Sequence, residues 1–83
     1  MSAANTFHLI VASVGETRFD GPAVSATLPG SAGEFTILPH HEPFVTTLKK
    51  GIITVREGAG EPLKFDVEDG ILEVSGNRAV VLL

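Results

Sequence analysis

The sequence predicts an all-β fold: a small antiparallel β-sandwich or flattened barrel of about nine or ten short strands. Three observations lead there. Turn-forming residues recur at short intervals along all 83 positions, and no segment sustains a helical period. The stretches between turns are rich in Val, Ile, Thr and Phe, which suit a pleated, half-buried surface. One of them alternates cleanly, with Leu63, Phe65 and Val67 set against Lys64, Asp66 and Glu68. An apolar and a charged face on one strand is what a sheet over a core demands.

Taken in order, the expected strands are Phe7–Ser13, Glu16–Asp20, Ala23–Leu28, Glu34–Leu38, Phe44–Lys49, Ile52–Glu57, Leu63–Glu68, Ile71–Val74 and Arg78–Leu82. Val24, Ala26 and Leu28 alternate with Ser25 and Thr27 and are expected to face inward. Gly58-Ala59-Gly60 supplies positive-φ freedom for a reversal, and Pro62 then opens the next strand where a missing amide costs least. Ser75-Gly76-Asn77 reads as a tight hairpin between the last two strands. No internal repeat, linker or low-complexity tract divides the chain, so residues 1–83 are read as one domain.

Composition narrows the function classes. A chain this short holds one core. The absence of cysteine rules out disulfides and thiolate metal sites. Net charge is -4, and the six basic residues are scattered, with only Lys49 and Lys50 adjacent. That is a poor footprint for phosphate, so no nucleic-acid partner is expected. No apolar run is long enough for a bilayer-spanning helix, so no direct membrane insertion is expected. Met1 to Thr6 lacks the basic flank and apolar stretch of a secretory leader. The 43% hydrophobic content exceeds the apparent need of one compact core and points to partner surfaces, with two-sided burial in a sandwich as the plainer account.

The motif Gly33–Pro43, GEFTILPHHEP, carries the most information. Pro39 and Pro43 fix their own φ, remove amide donors and push Leu38 and Glu42 towards extended backbone, so His40, His41 and Glu42 are expected on a stiff loop. Such loops carry function more often than stability. Imidazole and carboxylate both bind zinc, but adjacent side chains on extended backbone diverge, and His8 lies on another strand. A solvent-facing or partner-contacting loop is the simpler reading, and no metal is expected. Asp66 and Glu68 share a strand face, which a catalytic carboxylate pair would need and an ordinary solvated face also has. No serine sits in a nucleophile-elbow context. Pro29-Gly30-Ser31-Ala32-Gly33 lacks the Lys-Ser/Thr and helix of a phosphate loop. No catalytic residue, cofactor or small-molecule substrate is expected.

The motifs, taken together, resemble the N-terminal β-sandwich domain of the epsilon subunit of bacterial F-type ATP synthases (delta in mitochondria). They are Phe7-His8-Leu9, Phe19-Asp20-Gly21, the run Leu28 to Phe35, Ile37-Leu38-Pro39-His40-His41-Glu42-Pro43, Leu48-Lys49-Lys50-Gly51, Gly70-Ile71-Leu72-Glu73-Val74 and Asn77 to Leu82. The resemblance implies a non-catalytic rotor subunit that links the gamma subunit to the c ring and couples ion translocation to ATP synthesis. It also implies peripheral attachment at the cytoplasmic face of the cell inner membrane. By resemblance, Gly30, Ser31, Gly33 and Glu34 meet the c ring, with Glu34 as the electrostatic contact. Ser13, His41 and Thr46 match positions turned towards gamma, and Glu73 lies on a strand bordering that contact.

Two departures stand out. Asp69-Gly70 replaces the family's usual Gly-Gly pair, and a positive φ at Asp69 would be tolerable but costly. Most relatives continue into a C-terminal helical hairpin that inhibits hydrolysis and in some members binds ATP. The sequence stops at Leu83, so neither property is carried over. The rival from another class is a small oligonucleotide-binding-type β-barrel module. It needs stacking aromatics on a basic face, whereas this chain has five Phe, no Tyr, no Trp and an acidic balance.

Overall fold

The computed structural model describes residues 5–83, so part of the Met1–Thr6 opening considered above lies outside the described residues. Nine strands follow one another: β1 (Phe7–Ser13), β2 (Glu16–Ala23), β3 (Ser25–Gly30), β4 (Gly33–Ile37), β5 (Phe44–Leu48), β6 (Gly51–Arg56), β7 (Leu63–Val67), β8 (Gly70–Ser75) and β9 (Arg78–Leu82). There is no α-helix among the described residues. The all-β expectation holds, and the strand positions shift by only a few residues.

The strands form a single hydrogen-bonded path, β2-β1-β9-β8-β5-β3-β6-β7, with β4 on the remaining edge of β3. Between β5 and β3 the ladder is reduced to the pair Gly30↔Leu48, and there the sheet folds over on itself. One half is β2-β1-β9-β8-β5 and the other β4-β3-β6-β7. Both turn their apolar residues into one core, with Leu9, Val11, Leu72 and Val81 from the first and Leu28, Ile37, Ile53 and Val55 from the second, each essentially sealed from solvent. Burying side chains of this size contributes about 1.5–3 kcal/mol each.

Phenylalanines close the open seams. Phe19 on β2 and Phe65 on β7, at the two ends of the path, meet edge to face with centroids 6.5 Å apart. Phe35 on β4 and Phe44 on β5 do the same at 5.5 Å. Such pairs add about 0.5–1.5 kcal/mol beyond the area they bury.

The wholly antiparallel expectation needs correction. β1 and β9 run parallel, with Leu9 opposite Ala79 and Val11 opposite Val81. Side-chain alternation is the same for either strand direction, so the sequence pattern could not distinguish them. β2 runs past Asp20 and through Pro22, because it pairs only with β1 and an edge tolerates a missing donor. A bulge between Val11 and Ala12 leaves Arg18 without a partner residue and twists that edge. The apolar face expected of β7 is graded: Val67 is buried, Phe65 half-buried and Leu63 exposed. Val24 lies between strands, while Ala26 and Leu28 are buried as expected. Asp69 is not among the residues with positive φ, so the Asp69-Gly70 departure carries no such cost.

Candidate functional site

Antiparallel order and short connections gather the turns at two ends of the molecule. At one end lie the turns after β1, β3, β5 and β7; at the other lie the 38–43 loop, the 57–62 loop and the Gly76-Asn77 turn. The Gly30–Glu34 set falls wholly at the first end. Gly30 pairs with Gly33 across the β3–β4 hairpin, leaving Ser31 and Ala32 at its tip. Pro29 stands opposite Glu34 and has no amide to give. Its carbonyl instead accepts from the Lys49 amide at 2.9 Å.

The tip is held, not floppy. The Ser31 amide donates to the Thr47 carbonyl at 3.0 Å. The Ser31 hydroxyl lies 3.2 Å from the same carbonyl oxygen and 2.6 Å from Thr47 Oγ1. Thr27 and Thr36 add a hydroxyl contact at 3.0 Å farther along the hairpin. Gly30 is required by space: a Cβ there would sit 2.6 Å from Phe35 Cε1 and 2.8 Å from the Gly33 carbonyl oxygen. Glu34 projects from this braced hairpin as an exposed carboxylate.

The residues expected towards gamma do not form one cluster. Ser13 sits at the end of β1, on the same end of the molecule as the hairpin tip, with Arg18 Nε 3.4 Å from its hydroxyl. His41 is at the opposite end. Its Nδ1 lies 2.8 Å from the Glu42 carbonyl oxygen and its ring centroid 5.8 Å from that of Phe44. Thr46 lies half-buried in β5 opposite Leu72, and Glu73 is exposed on β8 opposite Val45 and Val80.

The outer face of the five-stranded half runs between these ends. Its exposed residues include Val45 (66%), Ile71 (49%) and Leu82 (55%). Register places Ile71 opposite Leu82, Leu82 opposite Ala12, and Val80 opposite Ile10. The result is a continuous apolar field around Glu73, bordered by Arg78 and by the exposed pair His8 Nε2 to Asp20 Oδ1 at 2.6 Å. Reading single strands missed this field, because it emerges only when β1, β9, β8 and β5 lie side by side. The aliphatic surplus in the composition was its one trace.

Among the described residues, no three His, Cys, Asp or Glu side chains converge where a metal ion could be held. His40, His41 and Glu42 do not form a ligand set. The fold and its surfaces define a braced β-sandwich, with a rigid hairpin at one end and a broad apolar sheet face alongside.

Over residues 6–83 the chain matches the family described as ATP synthase, Delta/Epsilon chain, beta-sandwich domain, and it belongs to that family. It is 38% identical over 78 residues to the ATP synthase epsilon chain of Polaromonas naphthalenivorans and 40% identical over 78 residues to that of Delftia acidovorans. Each alignment covers 94% of this chain and 56% of the relative, so the chain spans little more than half the length of these proteins. Among solved structures, a chain of the Euglena gracilis mitochondrial ATP synthase (OSCP/F1/c-ring) superposes with a TM-score of 0.86 at 22% identity. That match covers 95% of this chain and 50% of the other. A chain of the Tetrahymena thermophila mitochondrial ATP synthase central stalk and c ring gives 0.75 at 15% identity, covering 90% and 60%. At these identities the structural likeness is one of fold.

Proposed function

We propose that this chain is a non-catalytic rotor element of an F-type ATP synthase. It joins the gamma subunit to the c ring, couples ion translocation to ATP synthesis and sits peripherally at the cytoplasmic face of the inner membrane. The observation that carries this reading is the braced Gly30–Glu34 hairpin within a chain of this family. A rotating joint transmits torque with the least angular lag through stiff parts. A two-residue tip pinned to β5 by Ser31 and backed by a close-packed Gly30 is stiff where a free hairpin would bend. Glu34 then offers a fixed negative charge to a polar loop of the c ring, with Gly30, Ser31 and Gly33 shaping the approach.

The gamma subunit takes the long outer face of β1, β9, β8 and β5. Ser13 and His41 lie towards its opposite ends, Glu73 is central, and Thr46 is on its border strand. An exposed apolar field with a polar margin is the composition of a docking surface. A preformed sheet loses little conformational entropy on binding, and Pro39 and Pro43 limit the loss in the loop that carries His41.

The two contacts separate by mutation. Glu34→Lys leaves the domain folded and weakens its assembly with the c ring; undiminished assembly refutes the hairpin assignment. His41→Ala weakens co-purification with gamma while c-ring contact is retained. Retention of gamma at the wild-type level removes His41 from that face.

A further inference from the structure

Asn77 stands at a junction outside the proposed contacts with gamma and the c ring. It occupies the second position of the Gly76-Asn77 turn between β8 and β9, with φ of 60° at Gly76 and 58° at Asn77. Two successive positive φ values are those of a type I′ hairpin turn, where glycine is the favoured second residue. The turn therefore does not need an asparagine side chain. That side chain is half-buried, and both ends of its amide are engaged elsewhere. Its Oδ1 accepts the His40 amide at 2.7 Å, and its Nδ2 donates to the Thr6 carbonyl at 3.0 Å, across a sequence separation of 71 residues. The Asn77 backbone carbonyl also accepts the His8 amide at 3.2 Å.

His40 needs that help. Its φ is 64°, the left-handed region that non-glycine residues avoid. It sits third in the turn Leu38-Pro39-His40-His41, closed by the His41 amide donating to the Leu38 carbonyl at 3.2 Å. Proline second and positive φ third are the marks of a type II turn, whose third residue is ordinarily glycine. This turn sets the direction in which the chain reaches His41 and Phe44.

We infer that Asn77 is a positioning residue: its side-chain oxygen locks the strained His40 turn, and through it holds His41 for docking, while its amide nitrogen fastens the start of β1 to the same point. The docking part of this inference rests on the assignment of His41 to the gamma face; the lock itself does not.

Three variants of the whole chain test it. N77G keeps the turn and removes both side-chain bonds. N77D keeps an acceptor for the His40 amide and loses the donor to Thr6. N77G/H40G removes the lock and also the strain it opposes. Amide hydrogen exchange is expected to rise about five- to tenfold at His40 in N77G, the size of one lost hydrogen bond. In N77D it stays near wild type at His40 and rises near Thr6 and Phe7. Binding to purified gamma weakens severalfold in N77G and recovers in both N77D and N77G/H40G. Unchanged His40 exchange in N77G overturns the lock. So does failure of N77D alongside N77G, or failure of the double variant to recover binding that N77G has lost. If wild type and H41A bind gamma alike, the docking assignment fails, and the exchange pattern still decides whether Asn77 locks the turn.

Discussion

Gly30→Ala is the most demanding test of the braced hairpin. The added Cβ would meet Phe35 Cε1 at 2.6 Å, the Gly33 carbonyl oxygen at 2.8 Å and Phe35 Cδ1 at 2.9 Å. All three are closer than carbon contacts allow. The Phe35 ring cannot swing freely, because it is packed edge to face on Phe44. The Gly33 oxygen is backbone on the facing strand, so relief there opens the hairpin. Overpacking of this kind costs typically about 1–3 kcal/mol. Replacing glycine stiffens the unfolded chain and returns about 0.4–1 kcal/mol. The net expectation is a loss of about 1–2 kcal/mol, which lowers the urea midpoint by about 1 M if the slope is about 1–2 kcal/mol/M. Gly21→Ala is the control. It lies in β2 with nothing within 4 Å of the new Cβ and no positive φ, so it should be neutral or stabilising by up to about 1 kcal/mol. Urea titration followed by far-ultraviolet circular dichroism measures both. Equal midpoints for the two variants would refute the steric account of the hairpin.

Further expectations concern the core and the surface. Leu72→Ala, at a fully buried position in β8, should cost about 3–4 kcal/mol by the same titration, and a loss under about 1 kcal/mol would contradict its place in the core. Asp20→Asn removes the partner of His8 from a pair whose side chains are 52% and 56% exposed. The stability lost should stay below about 1 kcal/mol and shrink with added salt, and a larger, salt-insensitive loss would refute that reading.

The strands were legible because half-buried strands print their alternation and turns print their glycines. Phe7–Ser13 and Arg78–Leu82 came out at their observed bounds. Gly58 and Gly60 take positive φ, as their spacing implied. Neighbour relations were not legible. The insertion of β9 between β1 and β8 leaves no mark in local pattern, since it depends on which hydrophobic faces meet after the chain has turned several times. The left-handed His40 was hidden for a related reason. Pro39 announces a turn, but the bond that holds His40 there comes from Asn77, 37 residues downstream. At the candidate site, the Gly30–Gly33 turn chemistry was readable, whereas the outer apolar field needed the register of four strands.

The parallel pairing of β1 with β9 bears on how the chain acquires its shape during synthesis. Strands some seventy residues apart must meet, and β9 is the interior member of its half of the sheet. Until it leaves the ribosome, the β1–β2 hairpin has nothing to join it to β8, and the inner faces of Leu9 and Val11 stay wet. Consolidation is therefore expected late and in one step, since distant pairings are slow to close and give no reward until they do. A nascent chain exposed only as far as residue 77 should be readily digested by protease, and emergence of β9 should bring resistance abruptly.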